Sequence, residues 1–272
     1  MKGLAVSNIA WPASEDDAVA KALVSLGVQA IEIAPTKLFP NPAEVTDDQI
    51  DECRARWNDR GLEIVAAQAL LFGHPELTIF DDAAIRGRTR QYLKRIIHVC
   101  ARLGAKALVF GSPKNRLAKG RDVSPEAIEF FGQLGSDAAQ EGTAIVMEAN
   151  PPDYGADFVT RAMDAVELVK AVDHPGFRLH LDTACMTLAG DSIKDVFDVG
   201  FRFVRHFHVS EPQLAPIGAD KVDHAAFARE LKARNYEHWV SIEMREIQPF
   251  DLDGLKRAVT TVQKVYLASG VA

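Results

Sequence analysis

Three carboxylates and an imidazole stand where apolar runs of this chain come to an end. Glu148 and Asn150 close AIVMEANP, Asp182 closes FRLHLDT, His208 and Glu211 close VRHFHVSEP, and Glu243, followed by Arg245, closes WVSIEM. If those runs lie side by side as parallel strands, their ends share one mouth. Carboxylates a few ångströms apart repel strongly at moderate dielectric, and a divalent cation between them removes that penalty. Oxygen-rich ligation with a single imidazole suits Mn2+, Mg2+ or Co2+ better than a thiolate-type structural zinc site. Within VRHFHVSEP, strand alternation turns His206 and His208 to the same face. His206 then lies one layer deeper, as either a hydrogen-bonded core histidine or one that touches substrate. His180 stands in the same relation to Asp182.

Parallel neighbours require a particular scaffold. Eight short apolar, partly β-branched segments read as strands: LAVSNIAW (4–11), AIEIAP (30–35), EIVAAQALL (63–71), ALVFGSP (107–113), AIVMEANP (144–151), FRLHLDT (177–183), VRHFHVSEP (204–212) and WVSIEM (239–244). Helical periodicity fills the intervals, with end signals in place. Ser14 precedes EDDAVAKALVSL and Gly27 closes it; Thr46 precedes DDQIDECRARWNDR and Gly61 follows; Ser124-Pro125 opens a helix that Gly142 ends; Gly104 and Gly200 stop two more. No linker or low-complexity tract divides the chain. Alternating strands and helices over 272 residues predict a single-domain (β/α)8 barrel across 1–272, a fold that uses about 250 residues as one unit. A doubly wound open sheet is the second architecture, but the glycine-rich phosphate loop expected after its first strand is missing after residue 11.

The late strand ends, VMEANPPDYG, LHLDTACM, HFHVSEP and VSIEM, resemble those of the xylose-isomerase-like TIM barrels, a family that includes sugar phosphate isomerases and epimerases and the ketose 3-epimerases. The order Glu, Asp, His, Glu recurs at intervals of 34, 26 and 35 residues. The resemblance implies that Glu148, Asp182, His208 and Glu243 ligate one divalent metal, with Mn2+ first and Mg2+, Co2+ or Zn2+ as alternatives. It also implies that Glu148 and Glu243 form an acid/base pair on opposite sides of an open-chain sugar. A metal on the carbonyl and neighbouring hydroxyl oxygens stabilises an enediolate while one carboxylate removes a proton and the other returns it. Epimerisation and aldose-ketose isomerisation are both open to this set. So is dehydration of the keto-inositol type, and a non-catalytic metal- or sugar-binding barrel is the reading outside enzymology.

Ketose epimerases commonly carry a His three residues after the metal Asp and an Arg six after the metal His, and both hold substrate oxygens. Here those positions are Cys185 and Leu214, which points to a different substrate. The residues expected to contact it are Trp11, Lys114, Asn115, Arg116, Asn150, Tyr154, Cys185, Glu211 and Arg245, with the KNR cations as candidates to grip a phosphate or carboxylate. Glu211 is alternatively a partner that orients the metal histidine, and Cys185 alternatively inert packing. His74 is the one early histidine that a trinuclear zinc endonuclease of this barrel class would use, and one is too few. A net charge of -7 disfavours nucleic acid and anionic membranes as partners. Cys53, Cys100 and Cys185, without CxxC spacing, read as thiols of a reducing compartment. The start, MKGLAVSNIAWP, lacks a signal-peptide h-region, and no run approaches the roughly 18 apolar residues of a membrane span. The expectation is a cytoplasmic enzyme with a small carbohydrate substrate, as a homodimer or homotetramer.

Overall fold

The computed structural model describes residues 1–219 and 221–268, so the last four positions of the expected domain lie outside the described residues. Eight parallel strands pair in chain order and close, β8 against β1. They are β1 Gly3–Ser7, β2 Ala30–Ile33, β3 Glu63–Ala67, β4 Ala107–Phe110, β5 Ile145–Met147, β6 Phe177–Asp182, β7 Val204–Ser210 and β8 Trp239–Glu243. This is the (β/α)8 barrel expected from the alternation of segments, and the β1–β8 pairing excludes an open sheet. Its helices are α1 Asp16–Ser25, α2 Pro35–Leu38, α3 Asp47–Asp59, α4 Ala83–Leu103, α5 Ser124–Gln140, α6 Ala162–Val172, α7 Thr183–Leu188, α8 Ile193–Gly200, α9 His224–Ala233 and α10 Leu252–Val262. Among the described residues no helix is long and apolar enough to cross a membrane.

All eight expected strands form, most of them shorter at the C-terminal end than the apolar run suggests. The chain leaves the ladder early into 3-10 turns at Asn8–Ala10, Pro113–Arg116, Pro152–Tyr154 and Pro212–Leu214. Three of these begin with proline, which has no N–H to give the ladder. Polar residues that follow a strand are thereby set on tight turns above the barrel mouth.

Helix ends follow local chemistry. At α3 the Thr46 hydroxyl accepts from the Gln49 N–H while the Gln49 amide oxygen accepts from the Thr46 N–H, a reciprocal capping box. Gly104 ends α4 at φ 115°, a backbone region open to glycine. Gly200, at φ -99°, serves packing: a Cβ there would sit 2.7 Å from Val166 Cγ2. The expected start at Ser14 is corrected, because Ala13–Glu15 forms a 3-10 turn and α1 begins at Asp16.

Two apolar layers hold the scaffold. The larger, with Leu23, Trp57, Ile97, Phe131, Phe197 and Phe227 among its members, fills the space between strands and helices. A small-residue cluster of Ala5, Ala30, Val65, Ala107, Val109 and Val146, with Trp239 against it, lines the barrel itself. Full burial of each large apolar side chain contributes about 1.5–3 kcal/mol. Against this apolar lining, Glu32, His180, His206 and His208 form a fully buried polar layer.

Candidate metal centre and substrate cleft

Register places the donors. Asp182 of β6 pairs with His208 of β7, and Ser210, two residues on, pairs with Glu243 of β8. Irregularities fall between Leu179 and His180 and between Ile31 and Glu32, and such bulges re-aim the side chains that follow. His208 is thereby fixed at the barrel centre. Its Nε2 lies 2.9 and 3.1 Å from the two carboxylate oxygens of Glu32. Its Nδ1 faces the mouth, 3.4 Å from Glu243 Oε2 and 3.9 Å from both Glu148 Oε1 and Asp182 Oδ2. That Nδ1 is buried without a hydrogen-bond partner.

Each carboxylate is held from behind. Asp182 caps α7: its Oδ1 accepts from the Cys185 N–H at 2.6 Å, and its Oδ2 accepts from the Ser210 hydroxyl at 2.5 Å. The Gln68 amide donates to Glu243 Oε1 at 2.6 Å. The Asn150 amide donates to Glu148 Oε2 at 2.7 Å. Glu148 also packs on Gly111 so closely that any Cβ there would collide with its Oε2. Only glycine leaves room for the carboxylate.

Burial, then the negative charges of Glu243 and Asp182, push the Glu148 carboxyl up to about 8. Burial and then Glu243 raise Asp182 as well. At Glu32 burial also acts upward, but the positive charges of His208 and then His206 outweigh it and hold the carboxyl well below its ordinary value. Burial disfavours charge on His208, yet Glu32 and Glu243 outweigh it and raise the imidazole well above its ordinary value. His180 is driven well below its own by burial and by its two histidine neighbours. An orphaned imidazole nitrogen facing three carboxylates, two of which resist ionisation, is a donor set that a divalent cation would satisfy.

Among the described residues two tighter groups have ligand atoms within 4.8 Å of one another: Glu148, His180, Asp182 and His208, and separately Glu32, His206 and His208. The second is already joined by hydrogen bonds, since His206 Nε2 lies 3.1 Å from Glu32. In the first, His180 Nε2 lies 3.5 Å from Glu148 but below the cleft, whereas Glu243 lines the cleft with Glu148 and Asp182. Access to solvent therefore favours Glu243 over His180 as the fourth donor.

The model of the xylose isomerase-like TIM-barrel family matches residues 20–263. The chain belongs to this family. Its backbone superimposes on D-psicose 3-epimerase in the presence of D-fructose with a TM-score of 0.81 at 18% identity, covering 98% of this chain and 100% of that one. For 3-keto-D-glucoside 4-epimerase, YcjR, from E. coli, the TM-score is 0.78 at 18% identity over 97% and 99% of the two chains. For the IOLI protein with a binding zinc atom it is 0.72 at 18% identity over 97% and 96%. At such identities the likeness concerns the fold.

In this xylose isomerase-like barrel the cleft above the donors has a volume of about 350 Å3 and is lined by Glu148, Asn150, Tyr154, Asp182, Cys185, Leu214, Glu243 and Arg245 among others. Asn150, Tyr154, Cys185 and Arg245 thus lie where substrate contact was expected. The Cys185 thiol, raised well above its ordinary value by burial and by Asp182, is a neutral wall. Tyr154 is tied to the loop after β7, its hydroxyl accepting from the Gln213 N–H at 2.9 Å. That loop carries two successive left-handed residues, Gln213 at φ 62° and Leu214 at φ 54°. Each costs about 1–3 kcal/mol, and the Tyr154 contact and an Arg245 N–H bond to the Leu214 carbonyl at 2.9 Å hold them there.

The other expected contacts are corrected. Arg116 is buried, and its guanidinium is spent inside the protein, on the carbonyls of Gly111, Phe158, Val159 and Glu148 and on the Asn150 amide oxygen at 2.8 Å. It braces the Asn150 that braces Glu148. Asn115 donates to the carbonyls of His74 and Leu77. Lys114 lines a neighbouring cleft with Phe72 and His74, which meets the metal cleft only at Pro113. Trp11 is buried in the core, its indole N–H donating to Asp16 at 2.8 Å. Glu211 is buried against His224 Nε2 at 3.3 Å, outside the cleft. His206 is likewise a partner of Glu32 and does not line the cleft. Sequence reading missed Glu32, Gln68, Ser210 and Gly111. Glu32 alone left a trace, an acid inside the apolar run AIEI.

Proposed function

We propose that this chain is a divalent-metal-dependent isomerase or epimerase of a sugar, sugar phosphate or related polyol ketone. The observation that carries the reading is the convergence of Glu148 and Glu243, from β5 and β8, on the unpartnered Nδ1 of His208 at the floor of an open cleft. Strands three places apart in an eight-stranded ring present their carboxylates from different sides, so a flat enediolate between them meets a base on each face. Glu148, Asp182, His208 and Glu243 would hold the cation. A bound divalent ion would supply charge stabilisation for the carbonyl and neighbouring hydroxyl oxygens as a proton leaves the hydroxyl-bearing carbon beside the carbonyl.

The protein's own groups do the rest. One glutamate removes the proton and the other returns it, at the same carbon for epimerisation or at its neighbour for isomerisation. Asn150, held by Arg116, and Gln68 fix the two carboxylates, so little reorganisation remains for the transition state. Glu32 holds the His208 Nε2 proton and leaves Nδ1 as donor, the carboxylate–histidine–metal arrangement that raises ligand basicity. Tyr154, Cys185 and Leu214 wall the cleft against bulk water.

The test is incubation of the Mn2+-loaded protein with ketoses, ketose phosphates and inososes in D2O. Solvent deuterium at the carbon beside the carbonyl without loss of water supports the proposal. Loss of water assigns a lyase instead, and no exchange with any of them removes the catalytic reading.

A further inference from the structure

Resting on that reading of the cleft, we propose that the substrate is an acid, an open-chain hydroxy-ketone whose terminal carboxylate is held by Arg245 at the rim. Among the described residues Arg245 is the one cationic side chain lining the metal cleft. It is exposed, and among the described residues its guanidinium has neither a hydrogen-bond nor an ion-pair partner. The neighbouring Glu246 does not occupy it, since that carboxylate accepts from the Gln248 amide at 2.8 Å. The other cations expected to serve are disposed of: Arg116 is bonded internally and Lys114 faces the adjoining cleft.

Arg245 is also placed with care. Its N–H donates to the Leu214 carbonyl at 2.9 Å, within the left-handed Gln213–Leu214 segment that Tyr154 pins from the other side. The guanidinium therefore grows from a fixed backbone point two residues beyond Glu243. The charge layout gives the direction. At the floor the cation would be taken by its own carboxylates and by the keto and hydroxyl oxygens of the substrate, which leaves the anionic end to the rim, where Arg245 stands. Ala184, Cys185 and Leu214 offer no charge on the wall, so the substrate has one anionic end. A lone planar guanidinium matches a carboxylate through two parallel N–H bonds, whereas a phosphate dianion calls for further cations or a nest of N–H groups.

The experiment uses the Mn2+-loaded protein and three matched polyols, D-gluconate, D-glucitol and D-glucitol 6-phosphate, with affinities measured by calorimetry in wild type, Arg245→Gln and Arg245→Lys. Gluconate is expected to bind wild type at least about tenfold more tightly than glucitol. Arg245→Gln is expected to cut that preference about 10- to 100-fold, the range of hydrogen bonds to a charged group, with Arg245→Lys between. Equal binding of gluconate and glucitol to wild type overturns the proposal. So does a carboxylate preference that survives in Arg245→Gln, which would put the carboxylate on the metal, and so does a preference for the phosphate over gluconate. The two readings fail separately. Arg245-dependent gluconate binding with no deuterium exchange in any ketose or keto acid leaves the anion site standing without the isomerase. Exchange in neutral ketoses with no Arg245-dependent preference does the reverse.

Discussion

Replacing Glu32 by Gln removes one charge from the barrel centre while keeping the volume, and its effect should be felt at a metal Glu32 would not touch. Its carboxylate receives both His206 Nε2 at 3.1 Å and His208 Nε2 at 2.9 Å. A glutamine oxygen in the place of Oε2 can accept from both imidazoles, but its NH2 then takes the place of Oε1, 3.1 Å from His208 Nε2, and sets donor against donor. His208 also loses the anion that makes its Nδ1 a strong donor. Carboxylate partners of metal-bound histidines are typically worth 10–100-fold in metal affinity, about 1.4–2.7 kcal/mol. Glu32→Gln should therefore bind Mn2+ one to two orders of magnitude more weakly in competition with a fluorescent chelator, with a native far-UV spectrum. Glu32→Ala, which leaves two buried imidazoles without their acceptor, should in addition lose about 3–5 kcal/mol of stability. A folded Glu32→Gln protein with Mn2+ affinity within about twofold of wild type would refute the reasoning.

Other expected outcomes follow from the same geometry. Glu148→Gln should still load at saturating Mn2+, though with lower affinity, and lower the rate of deuterium exchange by about 10^2- to 10^4-fold, the usual worth of a positioned acid/base group; an unchanged rate in the loaded protein removes Glu148 from that role. Gly111→Ala should displace the Glu148 carboxylate, because the added Cβ meets its Oε2, and so weaken Mn2+ binding in the same competition assay; a wild-type affinity would show that the carboxylate has room to move. Glu148, raised to about 8 by burial and by Glu243 and Asp182, carries its proton at pH 7 and must lose it to become a ligand. Mn2+ binding at pH 7 should thus release protons both from Glu148 and from His208, which is itself raised well above its ordinary value, seen as buffer-dependent calorimetric heats, and affinity should rise with pH through about 8. Saturating Mn2+ at about 100 times its Kd should stabilise the fold by about 2.7 kcal/mol, readable as a Tm increase of roughly 5–10 °C.

The barrel was legible in the sequence because each strand is a short apolar run and each helix announces its ends; Thr46 with Gln49 and Gly104 act as local chemistry dictates. The C-terminal ends of the strands were read too long, since apolar character persists past the point where proline or a 3-10 turn breaks the ladder. Glu148, Asp182, His208 and Glu243 stood out as polar residues at the close of apolar runs, and the fold does bring them together. What supports them was hidden by distance along the chain. Glu32 meets His206 from 174 residues away, and Gln68 meets Glu243 from 175. Gly111 matters only through the carboxylate lying on it. The KNR segment misled in the opposite direction: a cation just after a strand looks free, but the turn at Pro113–Arg116 folds the Arg116 guanidinium inward onto carbonyls and Asn150.

The most direct test of the metal centre is an anomalous difference map from crystals of the wild-type protein grown with Mn2+. A single strong peak should lie in bonding contact with His208 Nδ1 and with oxygens of Glu148, Asp182 and Glu243. A peak among Glu32, His206 and His208, or none at saturating Mn2+, would contradict it.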